Sequence, residues 1–497
     1  MHSPVGLRDP LQEAVHERSV ADLRLVASAA PTRNTAARFG KTAVLCEALA
    51  DLLTITSAIT FSCLIYYALG LGKQVQYSAR SIVEVAFGCA IIMVLMLDRA
   101  GAYTRANSLL RVRETELVLR VSSQAFLMVM AVSFFGGFLF SRWLLVLSLA
   151  SVPVALFAQK TLMYLLISRL HSKGHGIDRV LIYGSGSTGR RVFSALRRSP
   201  KLGLDPVAFV DDDPSKTGGV IFEMGYEPQR SAPVVKGPVS QQLVESHGAD
   251  LVIIAIPSMA AEKFQSTVEE VLEAKTRVSF VPSQFLPADP GVVYQDFDGI
   301  LLASFGKAGQ RFGYELAKRI VDIAGALVLI VLGLPLFLFL AILIRIDSPG
   351  TAIFQQDRVG LHGRVFRMFK FRTMSTISDP YEYSPQLPTD ARITRLGKFL
   401  RRTSLDELPQ LFNVLQGSMS LVGPRPEMPF IVEKYSQHHK QRLQVKPGLT
   451  GLWQLSGDRN YLIHENIEYD LYYIRHRNFF MDLAILLHTT VFAMRGV

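Results

Sequence analysis

Four apolar stretches, near residues 43–70, 81–98, 119–141 and 143–169, alternate with short polar segments in the first third of the chain. Each is close to the ~20 residues a helix needs to cross ~30 Å of hydrocarbon. The pattern predicts a four-helix transmembrane bundle over 41–172, behind a polar, disordered cytoplasmic tail at 1–40. From about residue 178 the period changes. Arg179–Tyr183 reads as a buried strand running into Gly184-Ser-Gly-Ser-Thr-Gly189, followed by a helix over 190–198 and strands at 207–210 and 251–256. That alternation predicts a small Rossmann-like α/β domain over 178–300. A fifth apolar run, about Ile320–Ile346, carries Pro335 at its middle, where a missing N–H and a ring clash predict a kink.

Beyond residue 347 the pattern is mixed. Arg364, Arg367, Lys370 and Arg372 interleave with apolar residues, which predicts a strand with one cationic face. A proline-rich loop at 379–389, an amphipathic helix over 427–442, a turn at 446–453 with an interfacial Trp453, and a short apolar helix over 479–494 complete the reading.

Charge orients the spans. Arg99, Arg105, Arg111, Arg113 and Arg120 crowd the loop between the second and third runs, and Arg169, Lys173 and Arg179 follow the fourth. The positive-inside rule puts both segments and the N-terminal tail in the cytoplasm, with the turn at Ser141-Arg142 outside and Trp143 as its interfacial anchor. Glu47, Asp51 and Glu84 lie near span ends, where they are expected to snorkel or face the bundle. Basic residues flank both ends of the fifth run, so it is expected to enter and leave on the same face as a re-entrant helix over 319–346.

Composition agrees with a membrane protein: 49% hydrophobic residues, 19% charged, and mean hydropathy +0.25. At 497 residues the chain exceeds a single core. Its net charge of +11 fits a surface facing anionic lipid or phosphorylated substrates. No nucleic-acid reader motif accompanies the basic residues. The cysteines, Cys46, Cys63 and Cys89, all lie in apolar spans and form no disulfide framework.

Two stretches carry candidate chemistry. Gly184, Gly186 and Gly189 form a G-x-G-x-x-G after a strand, with Asp211 about 20 residues on, as in dinucleotide sites. The alternative is a tight strand–helix turn without ligand. The second stretch, 398–427, places Arg401 and Arg402 before adjacent carboxylates Asp406 and Glu407, then breaks into Gly423-Pro-Arg-Pro426. Cations beside paired carboxylates suit phosphoryl chemistry: one carboxylate can be a nucleophile, the other a Mg²⁺ ligand, and cations hold phosphate oxygens. Ser404-x-x-Glu407 is also a capping box. Pro409 opposes that, since inside a helix its missing N–H would be needed. A helix starting near Pro409 leaves Asp406 and Glu407 exposed just ahead of it, at its boundary. Lys370, Arg372, Arg401, Arg402 and Arg425 are the candidate phosphate contacts.

LRRTSLDELPQLFNVLQGSMSLVGPRPE, with FRMFKFRTM, the upstream DSPG, and KPGLTGLWQLSG, resembles the bacterial sugar transferase family, the monotopic phosphoglycosyl transferases. The resemblance covers about 311–497, and the N-terminal spans and α/β segment are similar to the family's large members. It implies a mainly helical, membrane-associated catalytic domain with a re-entrant helix. It further implies transfer of a sugar 1-phosphate from a UDP-sugar to undecaprenyl phosphate at the cytoplasmic face of the bacterial inner membrane, with Mg²⁺. Its Asp-Glu dyad falls on Asp406 and Glu407. A homo-oligomer is compatible with this reading. Two alternatives stand beside it. Tyr314-x-x-x-Lys318 matches the Tyr/Lys pair of NAD-dependent nucleotide-sugar dehydratases, and a non-catalytic polysaccharide-assembly scaffold could share the same architecture.

Overall fold

The computed structural model describes residues 33–71, 78–103, 111–136, 141–197, 203–222, 231–281, 290–297, 300–307, 312–375, 390, 392–455 and 467–494. They fall into two compact units, residues 1–286 and 287–497.

The first unit opens with four long helices, α1 (Arg33–Ala68), α2 (Ala79–Arg99), α3 (Arg111–Gly136) and α4 (Arg142–Ser172). All four are long and apolar enough to cross a membrane. Their small and branched residues, including Ile55, Ala58, Ala90, Leu97, Val121 and Leu156, close the core between them. Glu47 and Asp51 face the bundle as expected: Lys160 Nζ lies 2.8 Å from Glu47 and 2.6 Å from Asp51. Glu84 instead pairs with Arg80 on an exposed face.

Two boundaries move. The tail was expected to reach residue 40, but α1 already begins at Arg33; residues 1–32 lie outside the described residues. The third helix begins at Arg111, within the expected loop, because buried Glu116 pairs with Arg113 and Arg120 on its own helix, which carries the helix through the polar segment.

The unit closes with a sheet built from β1 (Asp178–Tyr183), β2 (Leu204–Asp211), β3 (Val220–Phe222), β4 (Ser231–Lys236), β5 (Leu251–Ile254) and β6 (Arg277–Phe280). Its order is β3-β4-β2-β1-β5-β6, parallel throughout except at β3. Connecting helices α5 (Ser187–Arg197), α6 (Gln241–Ser246) and α7 (Ala261–Glu273) bridge the strands. Leu181, Tyr183 and Val210 belong to one buried cluster and Val180, Ile182 and Phe209 to another, so successive residues of each strand are buried on opposite faces. The sheet ends at Phe280. The hairpin of β7 (Pro290–Phe297) and β8 (Ile300–Lys307) falls in the second unit.

In the second unit, α8 (Phe312–Asp347) is one 36-residue helical segment with Pro335 inside it. An antiparallel hairpin of β9 (Ile353–Val359) and β10 (Val365–Phe371) follows, then α9 (Arg395–Thr403), a 3-10 turn (Leu405–Glu407) and α10 (Gln410–Gln416). Short strands β11 (Ser420–Val422) and β12 (Gly448–Thr450) pair in parallel; α11 (Ile467–His476) and α12 (Phe479–Met494) end the chain.

Polar hooks tie α8 to this unit. Tyr314 and Lys318 donate to Asp482 on α12. Arg319 reaches the last carbonyls of α10, Val414 O at 2.7 Å and Leu415 O at 2.8 Å. Asp322 accepts from Ser420 Oγ and Leu421 N on β11. At the other end, Phe337 packs on Phe371 and Phe412, and Arg372 covers the carbonyls of Ser348 and Pro349.

Three local expectations fail here. The cations of β10 do not share a face, since Arg367 is exposed while Lys370, an odd number of residues on, turns inward. The helix expected over 427–442 is broken into Pro429–Val432, Gln437–Lys440 and a 3-10 turn, with the Ser436 hydroxyl accepting from His439 N at the break. Trp453 is buried rather than interfacial, because Gly448–Thr450 is a strand that draws it inward. The proline-rich loop at 379–389 lies outside the described residues.

Candidate active site

The end of α9 sets the dyad. Thr394 caps this helix by accepting from Gly397 N, and a Cβ on Gly397 would sit 2.1 Å from Thr373 O. Only glycine lets α9 press so closely on the chain leaving β10. That approach brings Arg401 Nε to 2.9 Å from Thr373 Oγ1. The helix stops at Ser404, which has left-handed backbone (φ 55°), and the 3-10 turn presents Asp406 and Glu407 before Pro409 starts α10. Ser404 makes no side-chain cap there, so the capping-box alternative fails and the dyad does sit at a helix boundary. Asp406 is buried rather than exposed, because α9 and β10 close around the turn.

Lys370 and Arg425 converge on it. Lys370 Nζ lies 2.8 Å from Glu407 Oε1 and 4.0 Å from Asp406 Oδ2, and Arg425 Nη2 is 3.1 Å from the same Glu407 oxygen. The two carboxyls are thereby driven apart. Burial and the adjacent Glu407 charge push Asp406 above the ordinary carboxylate value, against the pull of Lys370. Burial also opposes ionisation of Glu407, but Lys370 and Arg425 hold it down to about 2.

Lys370 is itself held in register by α10. Buried Asn413 accepts from Phe369 N at 2.9 Å and donates to Arg367 O at 2.7 Å, clasping the backbone beside Lys370. Arg425 is held by its backbone. Four consecutive carbonyls are each taken by a donor: Pro424 O by Gly448 N, Arg425 O by Arg442, Pro426 O by Arg358 and Glu427 O by Val359 N.

Of the expected phosphate contacts, Lys370 and Arg425 meet at the dyad. Arg401 lies close enough to Asp406 to interact with its charge. Arg372 does not join them; its guanidinium donates to Pro349 O at 2.7 Å and Ser348 O at 2.6 Å, closing the end of α8. Arg402 lies on the exposed side of α9. Sequence reasoning missed Arg358, a buried cation lining the same cavity as Lys370, Glu407 and Arg425. Burial and the nearby Arg425 lower its pKa to about 10. It also missed Asn413 and Arg442, which act on backbone groups and leave no motif.

The glycine loop of the first unit is equally tied. Gly184 has φ +108°, and a Cβ on Gly189 would meet Gly184 O at 1.9 Å. The Asp211 carboxylate accepts from Ser185 N at 2.8 Å and Ser185 Oγ at 2.5 Å, so it braces the loop of Gly184, Gly186 and Gly189 itself.

Known proteins share both regions. Residues 313–496 match the family described as bacterial sugar transferase, and residues 98–282 match one described as a CoA-binding domain. A UDP-galactose-lipid carrier transferase of Erwinia amylovora is 33% identical over 70% of this chain and 74% of its own length. A UDP-glucose:undecaprenyl-phosphate glucose-1-phosphate transferase of Xanthomonas campestris is 32% identical over 68% and 71%. An undecaprenyl-phosphate galactose phosphotransferase of Salmonella typhimurium is 33% identical over 66% and 70%. With relatives of 32–33% identity matched over most of their length, this chain belongs to the bacterial sugar transferase family, a membrane-bound group of enzymes that transfer substituted phosphate groups.

Proposed function

We propose that the enzyme transfers a sugar 1-phosphate from a UDP-sugar to undecaprenyl phosphate and releases UMP, the first membrane step in building a surface polysaccharide. The observation that carries this is the unequal pairing of two adjacent carboxyls with shared cations: Lys370 and Arg425 lie 2.8 and 3.1 Å from one Glu407 oxygen, while Asp406 is 4.0 Å from Lys370. Asp406, less screened and more basic, is the better nucleophile; Glu407, held ionised, is the better metal ligand.

In the first half-reaction an Asp406 carboxylate oxygen bonds to the sugar-proximal phosphorus. The phosphoanhydride bond breaks and its electron pair leaves on UMP. In the second, a phosphate oxygen of undecaprenyl phosphate bonds to the same phosphorus and the Asp406 oxygen departs, regenerating the carboxylate. The sugar C1–O bond is never cut, so anomeric configuration is retained. Lys370, Arg425 and Arg401 offset like-charge repulsion as the carboxylate approaches the diphosphate.

Mg²⁺ fits the donor set. Among the described residues there is no cluster of three or more His, Cys, Asp or Glu for a protein-only cage, and Mg²⁺ prefers one or two carboxylates completed by substrate phosphates and water. Glu407 would hold it, and the ion would supply charge neutralisation on the diphosphate.

The same reading takes α8 as re-entrant. α8 runs through Pro335 as one helical segment, and the basic residues at both its ends, Lys318, Arg319 and Arg345, motivate this reading, which puts the catalytic unit on the cytoplasmic face of the inner membrane. The parallel order β4-β2-β1-β5-β6, with its reversal at β1, supports a Rossmann-like reading of the α/β segment.

A dehydratase is disfavoured because Tyr314 and Lys318 both donate to Asp482. Incubation with labelled UDP-sugar alone tests the two-step route: label should stay on the protein and UMP should appear. UMP release only when lipid phosphate is added would point instead to direct displacement with Asp406 as base. Asp406→Asn should abolish turnover in either case.

A further inference from the structure

Resting on the transferase reading, we propose that Arg442, braced by Asp470, is a positioning residue that sets the aim of Arg425 at the dyad. Arg442 is 4% exposed and Asp470 2% exposed. Its fork serves three partners at once: Nε reaches Asp470 Oδ2 at 2.7 Å, Nη1 reaches the Tyr435 hydroxyl, and Nη2 reaches Arg425 O at 3.0 Å. The last contact matters most. Arg425 lies between Pro424 and Pro426, whose rings fix their own φ, so its remaining freedom is rotation of the flanking peptide planes. A donor on Arg425 O fixes the plane between Arg425 and Pro426, and Gly448 N on Pro424 O fixes the plane before it. With both planes fixed, the Arg425 Cα–Cβ bond leaves the backbone in one direction, and from that root the guanidinium reaches Glu407 Oε1 at 3.1 Å.

Arg442 is therefore held by Asp470 on α11, more than 60 residues along the chain from the dyad, and touches neither carboxylate. A buried ion pair of this kind is costly to desolvate. Its geometric return here is the grip on Arg425 O, since no apolar pair of similar volume could supply that donor.

Arg442→Lys tests the grip while keeping the charge beside Asp470. Lysine lacks the planar fork, so it cannot serve Asp470 and Arg425 O in the same geometry. With UDP-sugar and undecaprenyl phosphate, kcat for UMP release should fall about 100-fold, as for a misplacement of order 1 Å, with KM changed far less. In an Arg425→Lys background the same substitution should add less than about a two-fold loss, because its effect runs through Arg425. Arg442→Gln/Asp470→Asn, which strands no buried charge, should behave like Arg442→Lys. Hydrogen exchange gives a readout free of substrate: the Gly448 and Val359 amides, which donate to Pro424 O and Glu427 O, should exchange at least 10-fold faster in Arg442→Lys, with α10 unchanged. Wild-type kcat and unchanged exchange in Arg442→Lys, or losses that multiply with Arg425→Lys, overturn the proposal. A wild-type enzyme that releases no UMP, with the exchange effect present, instead overturns the transferase reading and leaves the grip standing.

Discussion

Lys370→Met tests whether the cations around the dyad set its ionisation or merely await phosphate. Glu407 sits at about 2 against an ordinary 4.5, a difference worth about 3 kcal/mol. Lys370 and Arg425 share one of its oxygens, at 2.8 and 3.1 Å. If they contribute equally, losing Lys370 returns Glu407 at least halfway, about one pH unit or more upward, since the two cations together also offset burial. Asp406 moves the same way, because Lys370 is the strongest charge holding it down. The sign follows from the chemistry. Both groups work as carboxylates, and a carboxylate is lost as pH falls through its pKa, so raising the pKa moves the acidic limb of activity to higher pH. In a kcat/KM profile for UMP release, the acidic limb of Lys370→Met should rise by about one pH unit or more while the plateau drops. Lys370→Arg should keep the limb in place. A Met variant whose plateau falls with the limb unmoved would show that Lys370 acts on phosphate alone.

Other substitutions separate structural from chemical roles. Arg372→Met leaves the Ser348 and Pro349 carbonyls without their donor and should cost about 2–4 kcal/mol, seen as faster thermal inactivation, while KM for UDP-sugar stays within about two-fold; a large KM rise with intact stability would return Arg372 to the phosphate site. Asn413→Ala strands Phe369 N–H and Arg367 C=O, so kcat should fall at least about 10-fold with faster exchange along β10. Asp211 has its pKa held at about 2 by Ser185 and Asp213 although burial opposes this, so its contribution is full above the ordinary 3.8 and fades as pH falls through about 2. Asp211→Asn should weaken protection of the Ser185 amide by about 2 kcal/mol at pH 7, a difference from wild type that shrinks in acid.

What was legible in the sequence divides by mechanism. Span lengths, the strand entering the glycine loop and the dyad at a helix boundary were readable because each is a local rule: apolar length, periodicity, and a proline that cannot sit inside a helix. Lys370 and Arg425 were readable as cations near unusual sequence. Arg372, two residues from Lys370, looked the same, yet the chain end of α8 returns to it and takes its donors. Arg358, Arg442 and Asn413 were invisible for the converse reason. Each reaches the site's framework through a backbone carbonyl or amide, which every residue possesses, so no side-chain pattern marks that contact. Trp453 was misread because a three-residue parallel strand is too short to leave a periodic trace.

The hooks along α8 have a consequence for where the reaction happens. Arg319, Asp322 and Arg372 tie that helix to α10, β11 and the end of β10, the elements that frame the dyad. The apolar helix is thus joined to the elements that frame the dyad, and on the transferase reading the height of Asp406 relative to the bilayer would follow how far α8 sinks into it. The helix acts as a plumb line. On that reading, one added turn of apolar residues, about 5.4 Å, would change the level of the dyad relative to the phosphate of a lipid whose tail fixes its own depth. The length of an oily helix is in that sense a dimension of the active site, and soluble donor and embedded acceptor meet only at the level it defines.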